Sequence, residues 1–257
     1  MILYYIAKYL YEERTAIFSL SDMGFSMNIK KWIFGNPYMH SKEAIASELY
    51  NIRWAIENDK GYIERIIKTG ISSFLLKHME SLSFARILDV GSGPVSYLLN
   101  FVRQNSDRFE LTAVDALADE YAEIMEEYRC DVPRNIACYA EELDKYFQPE
   151  IFDIVFCSNS LDHTIDIAKS LENMSFVLKD DGFIYLLCNI NEKDRTSGDG
   201  MHYHNLNLID GSLNNHGKPV HMPHLRICDF KIHIQTWTVG AEVFDVPRFE
   251  IILRKNI

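Results

Sequence analysis

One run leaves this chain the fewest options: Ala85-Arg86-Ile87-Leu88-Asp89-Val90-Gly91-Ser92-Gly93-Pro94-Val95-Ser96-Tyr97-Leu98. Its first part is a short apolar stretch without polar alternation, which suits a parallel strand covered on both faces. Gly91 and Gly93 bracket a turn whose backbone can bend tightly and approach a ligand with no side chain in the way. Pro94 stands where a helix begins, and its missing N–H costs nothing there. Free N–H groups at that helix start would face whatever lies over the strand's carboxyl end. A βαβ architecture with a parallel sheet follows from this order of elements.

Asp89-Val90-Gly91-Ser92-Gly93 resembles motif I of the class I methyltransferases that use S-adenosylmethionine, and the likeness spans about residues 84 to 190. It implies that Asp89, Gly91, Ser92 and Gly93 line the methionine and ribose end of the cofactor. A dinucleotide fold would place a third glycine at position 96, where this chain has Ser96. The implied fold is α/β: a Rossmann-like seven-stranded sheet, mostly parallel with an antiparallel last strand, helices on both faces and an N-terminal helical cap.

The alternation continues through Glu110–Asp115, Asn135–Tyr139, Phe152–Asn159 and Phe183–Cys188. Asp115 ends the second strand, where a carboxylate can accept hydrogen bonds from both ribose hydroxyls or cap the next helix. It resembles the family's motif II acid, with Ala116 beside it. The third strand leads into the family's adenine corner. Tyr139 stands where the family often has an aspartate, so Ala140 and Glu141 are expected to hold the base. Ser158-Asn159-Ser160-Leu161-Asp162-His163 resembles motif IV and would run beside the methyl group. The Leu178-Lys179-Asp180-Asp181-Gly182 stretch reads as a structural turn into the fifth strand.

Residues 1 to 80 read as a helical cap and 81 to 257 as the catalytic domain. Ser41 is a candidate helix cap, Gly61 a stop, and Ile45, Leu49, Ile52 and Ile56 form one apolar face. A second helix would turn Ile63, Ile66, Ile67, Ile71, Phe74 and Leu75 inward. The aromatic stretch from Trp32 to His40 is the favoured cap contact with a ligand. Residues 191 to 224 lack a clear pattern and hold five of the nine histidines. They read as a lid, a binding loop or a disordered connection. Lys231–Val239 and Arg248–Arg254 would close the sheet.

Methyl transfer to a hydroxyl benefits from a base, and histidine suits that near neutral pH. His163 follows the fourth strand and His202 lies in the lid, so either is the candidate base, with Tyr203 and Asn207 orienting the acceptor. His202 and His204, if extended, point to one side and could equally anchor an anion or ligate a metal. The pair lacks an acid-rich partner motif, and no metal is expected.

Lys+Arg is 26 and Asp+Glu is 37, giving a net charge of −11. So acidic a chain lacks the electrostatic footprint of a nucleic-acid binder. No apolar run approaches the roughly 20 residues that cross a bilayer. Five cysteines without a Cys-x-x-Cys pair fit a reducing cytoplasm, and the N-terminus lacks a signal-peptide pattern. The partners expected are therefore a small-molecule acceptor and, left open, a second copy of the chain; nucleic acid and membrane are not. Richness in Asn, Ile, Lys and Tyr points to an AT-rich bacterial genome. The Leu-Asp-His after strand four loosely resembles methyltransferases of bacterial surface-polysaccharide pathways. Two other readings stay open: a non-catalytic cofactor-binding subunit, and a nicotinamide-dependent oxidoreductase.

Overall fold

The main sheet is built outward on both sides from β1 (Ala85–Val90). In the computed structural model, residues 40–256 are described except 60, 197–200 and 240–241, with side chains of 237–244 also left aside. The aromatic stretch before His40 lies outside the described residues, as do the expected helices before it. Residues 40–257 form one unit.

Three helices precede the sheet: α1 (Lys42–Asn58), α2 (Tyr62–Lys68) and α3 (Ser73–Met79). Ser41 caps α1 as expected, its hydroxyl accepting from the Ala44 N–H at 3.1 Å. Gly61 does not end that helix. Asp59 does, and Gly61 opens α2 instead. The expected single second helix is two, because Ser72 caps a fresh start and accepts from the Leu75 N–H at 3.1 Å.

The core then runs α4 (Leu99–Gln104), β2 (Phe109–Asp115), α5 (Ala118–Glu127), β3 (Ile136–Ala137), α6 (Leu143–Tyr146), β4 (Phe152–Ser158), α7 (Ile167–Val177) and β5 (Leu178–Asn189). After it come α8 (Glu192–Arg195), β6 (Leu206–Ile209), β7 (Ser212–Asn215), β8 (Lys218–Pro219), β9 (Leu225–Val239) and β10 (Glu242–Lys255). The main sheet has the order β3-β2-β1-β4-β5-β10-β9. Strands β1 to β5 pair in parallel, and β10 runs antiparallel to both β5 and β9.

The unbroken apolar runs are explained by burial on both faces. Leu88, Val155 and Leu186 join one core with α7, whereas their neighbours Ile87, Ile154 and Tyr185 join another with α3 and α4. Gly182 sits within β5 rather than in a turn before it. A Cβ there would lie 2.6 Å from the Asp153 carbonyl oxygen, so the close strand approach requires glycine.

The expected lid is the main departure. Residues 206–219 form a second sheet of order β6-β7-β8, and Leu206, Leu208 and Leu213 are buried in the main core. Two tight turns with positive φ, at Asp210-Gly211 and His216-Gly217, connect its strands. The polar composition hid a hairpin array whose three leucines point inward while Ile209 is exposed.

Candidate active site

The strand order reverses between β1 and β4, and a cavity opens outside the carboxyl ends of these strands, the place where open α/β sheets bind ligands. Its wall runs from Val90 to Val95 and continues through Asp115, Ala116, Tyr139 to Glu141, Ser158 to Ser160, and His163. Glu48 and Ile52 of α1 and Tyr62 and Ile66 of α2 close one side, with His40 and Met201 beside them.

The two glycines serve different needs. Both have positive φ, 70° at Gly91 and 65° at Gly93. A Cβ on Gly91 would stand 2.3 Å from the Ser160 Cβ, so this glycine lets the β4 end cross the turn. The Ser160 hydroxyl donates to the Val90 carbonyl at 3.0 Å and locks that crossing. A Cβ on Gly93 would meet nothing within 4 Å. Gly93 therefore keeps space in the cavity open.

Asp115 binds the turn from below. One carboxylate oxygen accepts from the Gly93 N–H at 2.8 Å and the other from the Leu117 N–H at 2.8 Å. Each oxygen retains a lone pair for a ligand hydroxyl. Burial raises its pKa above the usual carboxylate range. Asn135, which no sequence signal marked, donates from its side chain to Ser92 Oγ at 2.9 Å and to the Gly93 carbonyl at 2.8 Å.

Of the residues expected to hold a cofactor, Gly91, Ser92, Gly93, Asp115, Ala116, Ala140, Glu141, Ser158 and Asn159 line the cavity. Asp89 does not. It sits behind the wall, 1% exposed, with Oδ2 lacking any hydrogen-bond partner. Burial lifts its pKa to about 7, against a hydrogen bond from Ser96 and with the help of the nearby Asp115 charge. Glu141 departs from expectation in another way. Its carboxylate accepts from the Ile165 and Asp166 N–H groups at 2.7 and 3.0 Å, so it organises the entry to α7. Asn159 adopts a left-handed φ of 50°, and its Oδ1 is a second buried acceptor without a protein partner.

The histidines divide. His163 reaches the wall; His202 stands behind it, 3.1 Å away between Nδ1 and the His163 Nε2. Asp162, only 4% exposed, places Oδ2 2.7 Å from His202 Nδ1. Burial works to raise the Asp162 pKa, but His163 and His202 outweigh it and hold the carboxyl below its usual range. Burial likewise opposes protonation of His202, and Asp162 outweighs it, so its pKa is raised.

His204 turns elsewhere, with Nε2 2.8 Å from the Thr164 carbonyl and Nδ1 2.9 Å from Asn215. The expected His202–His204 pair thus does not form, because residues 201–205 do not run as an extended strand. His221 and His224 are exposed. Tyr203 does not line the cavity. It stacks on His40, with ring centroids 5.5 Å apart and planes 7° apart. Burial, aided by the charge of His163, lowers the His40 pKa to about 4, so this ring is neutral. Asn207 is spent on its neighbour, accepting from the Leu208 N–H, and is away from the wall.

The sheet order with its one reversed strand, and a Gly-x-Gly turn bound to an acid at the end of β2, are those of the class I methyltransferase fold. Residues 88–186 match the family model described as a methyltransferase domain. No curated protein matches the sequence. Among solved structures the chain is similar to the YcgJ protein of Bacillus subtilis, at 15% identity and TM-score 0.48 over 72% of this chain and 97% of that one. It is also similar to 1,6-didemethyltoxoflavin-N1-methyltransferase of Burkholderia thailandensis, at 18% identity and TM-score 0.47 over 85% and 92%. A SAM-dependent methyltransferase of Aquifex aeolicus gives 14%, 0.39, and 70% and 87%.

S-adenosylmethionine is the methyl donor of this class, and the residues present fit it. Open space faces Gly93, the Asp115 carboxylate stands at the end of β2, and the cavity-lining acceptor Asn159 Oδ1 has no protein partner. Among the described residues no helix is long and apolar enough to cross a membrane.

Proposed function

We propose that this chain moves the methyl group of S-adenosylmethionine to a small polar acceptor seated between the end of β4 and the helices α1 and α2. What supports it most is a single cavity whose wall holds both the Gly91–Gly93 turn with Asp115 and, at another edge, His163. An activated sugar of surface-polysaccharide assembly is the acceptor class suggested by the sequence resemblance. The helices up to residue 80 are the cap in this reading.

The cofactor supplies an electrophilic methyl on a sulfonium, and the protein supplies alignment. Asp115 accepts from the ribose hydroxyls while it keeps the Gly93 N–H. Ala140 contributes backbone at the adenine, with Glu141 holding the corner in place. The Asn159 side chain meets the amino-acid end, with Asp89 buried behind that wall. The acceptor's proton leaves toward the His163–His202–Asp162 cluster, and Tyr203 positions this edge through its stack on His40.

Calorimetric titration of the full chain with S-adenosylmethionine tests the reading. Saturable one-to-one binding, followed by methylated product in a screen of sugar nucleotides and other polar metabolites, is the expected result. No binding at millimolar cofactor ends it. Retained cofactor with no acceptor found would favour the non-catalytic reading.

A further inference from the structure

We infer that Asp162, His163 and His202 form a binding site for a divalent transition-metal ion at the acceptor edge of the cavity. Asp162 Oδ2, His202 Nδ1 and His163 Nε2 converge on one point, with separations of 2.7, 3.1 and 3.8 Å. All three lie within 4.8 Å of one another, each able to offer one ligand atom.

One proton on His202 Nδ1 satisfies Asp162 but leaves the His163 Nε2 contact at 3.1 Å without a hydrogen of its own. His202 Nδ1 has one site, holding either a proton or a lone pair. If it carries a proton, the bond to Asp162 is made, and the His163 Nε2 must compete for the same hydrogen. If it carries a lone pair, His163 can donate to it, and that lone pair then faces a carboxylate oxygen at 2.7 Å. A cation accepts a lone pair from each atom at once.

The distances agree with that role. Metal–nitrogen and metal–oxygen bonds of about 2.0–2.2 Å place neighbouring ligand atoms roughly 3.0 Å apart in an octahedron and roughly 3.4 Å in a tetrahedron. The observed edges fall around those values. Two imidazoles and one carboxylate on one side of the ion, with positions left open, are a donor set suited to zinc, iron, cobalt or manganese. The open positions face the cavity, because His163 lines it.

The supports are in place before any ion arrives. The Tyr203 N–H donates to the Asp162 carbonyl at 3.0 Å, which ties the two ligand-bearing segments together. The His163 N–H donates to the Ser160 carbonyl at 3.0 Å, and the residue after His163 is held by His204. The Asp162 side chain is 5% exposed and the two imidazoles 23% and 22%, so an ion could enter while little water competes. Resting on the methyl-transfer reading, the ion-loaded site would coordinate an acceptor hydroxyl and lower its pKa, so that the proton passes to solvent in place of the imidazole pair and the oxygen displaces the demethylated cofactor as the methyl's carbon–sulfur bond breaks.

The test uses the full chain, stripped with chelator and titrated with Zn²⁺ by calorimetry and with Co²⁺ by visible absorption. One ion per chain and a d–d band typical of mixed nitrogen and oxygen ligands are expected. Asp162→Asn and His202→Ala should each weaken Zn²⁺ binding by at least ~100-fold, and replacement of the exposed His224 by Ala should leave it unchanged. His163→Gln provides a second ligand test should Asp162→Asn fail to fold. Absence of saturable Zn²⁺ and Co²⁺ binding, or equal binding by the ligand variants, overturns the inference. Cofactor titration of the same preparations keeps the two readings apart, since either can fail while the other stands.

Discussion

On the cofactor side of the cavity the shape is made by backbone, and on the acceptor side by side chains. Gly91, Gly93 and the N–H groups that Asp115 collects fix one wall almost without functional side chains. The opposite edge depends on Asp162, His163 and His202, the carboxylate and its imidazole partner standing 40 positions apart in the chain. Backbone walls tolerate few substitutions but leave a local signature. Side-chain walls can be altered one atom at a time and leave almost none.

The sharpest way to break this contrast is at the glycines. Gly91→Ala forces a Cβ into Ser160 at positive φ, and we expect a loss of more than about 4 kcal/mol, seen as failure to fold or a collapse of the melting temperature. Gly93→Ala meets open space, so only the left-handed strain of about 1–2 kcal/mol remains, and the protein should fold with weakened cofactor binding. Equal behaviour of the two variants would remove the distinction drawn between them.

The next effect separates the walls. Asp115→Ala should cost about 100-fold in cofactor affinity by calorimetry, since two hydrogen bonds to a charged acceptor are lost. His202→Ala should leave that affinity within about twofold while suppressing product formation. A shared loss of affinity would mean that the two edges act as one.

Much of the first wall was legible beforehand. A buried apolar run, two glycines at fixed spacing and an acid ending the next strand are local facts, so sequence reading found the alternating strands, Gly91, Gly93 and Asp115. It misplaced Asp89 as a wall residue because burial depth depends on how β1 is covered by its neighbours. It missed Asn135, since a loop asparagine has no pattern until the chain folds back on the Ser92–Gly93 turn. On the acceptor side His163 and His202 were found by residue type, but their convergence on Asp162 was not, because the path between them crosses α7, β5 and α8. Residues 206–219 were read as loop because three short strands with few apolar positions look polar along the chain.

Asp89 offers an effect with a definite sign. Its pKa rises from 3.8 when exposed to about 7 in the folded chain. Between those values the folded state holds a proton that the unfolded state has lost. Stability of the cofactor-free protein should therefore fall as pH rises toward 7, by about 1.4 kcal/mol per unit from this group, and level off above. Asp89→Asn should flatten that slope in chemical denaturation. A slope unchanged in the variant would place the titration elsewhere.

Smallest of all, Asn135→Ala should cost about 1–2 kcal/mol in denaturation, the value of two hydrogen bonds to the turn. Cofactor affinity should drop only a few-fold, since the Asp115 contacts remain.

His202 is delivered by the segment between β5 and β9, upstream of the three-stranded sheet, whereas the nucleoside seat is complete by the end of β4. A lineage could therefore exchange that one cassette, anchored by Leu206, Leu208 and Leu213, and inherit a new acceptor preference with its donor chemistry untouched. Diversification of such a protein would be written in the insert, and its ancestry in the turn.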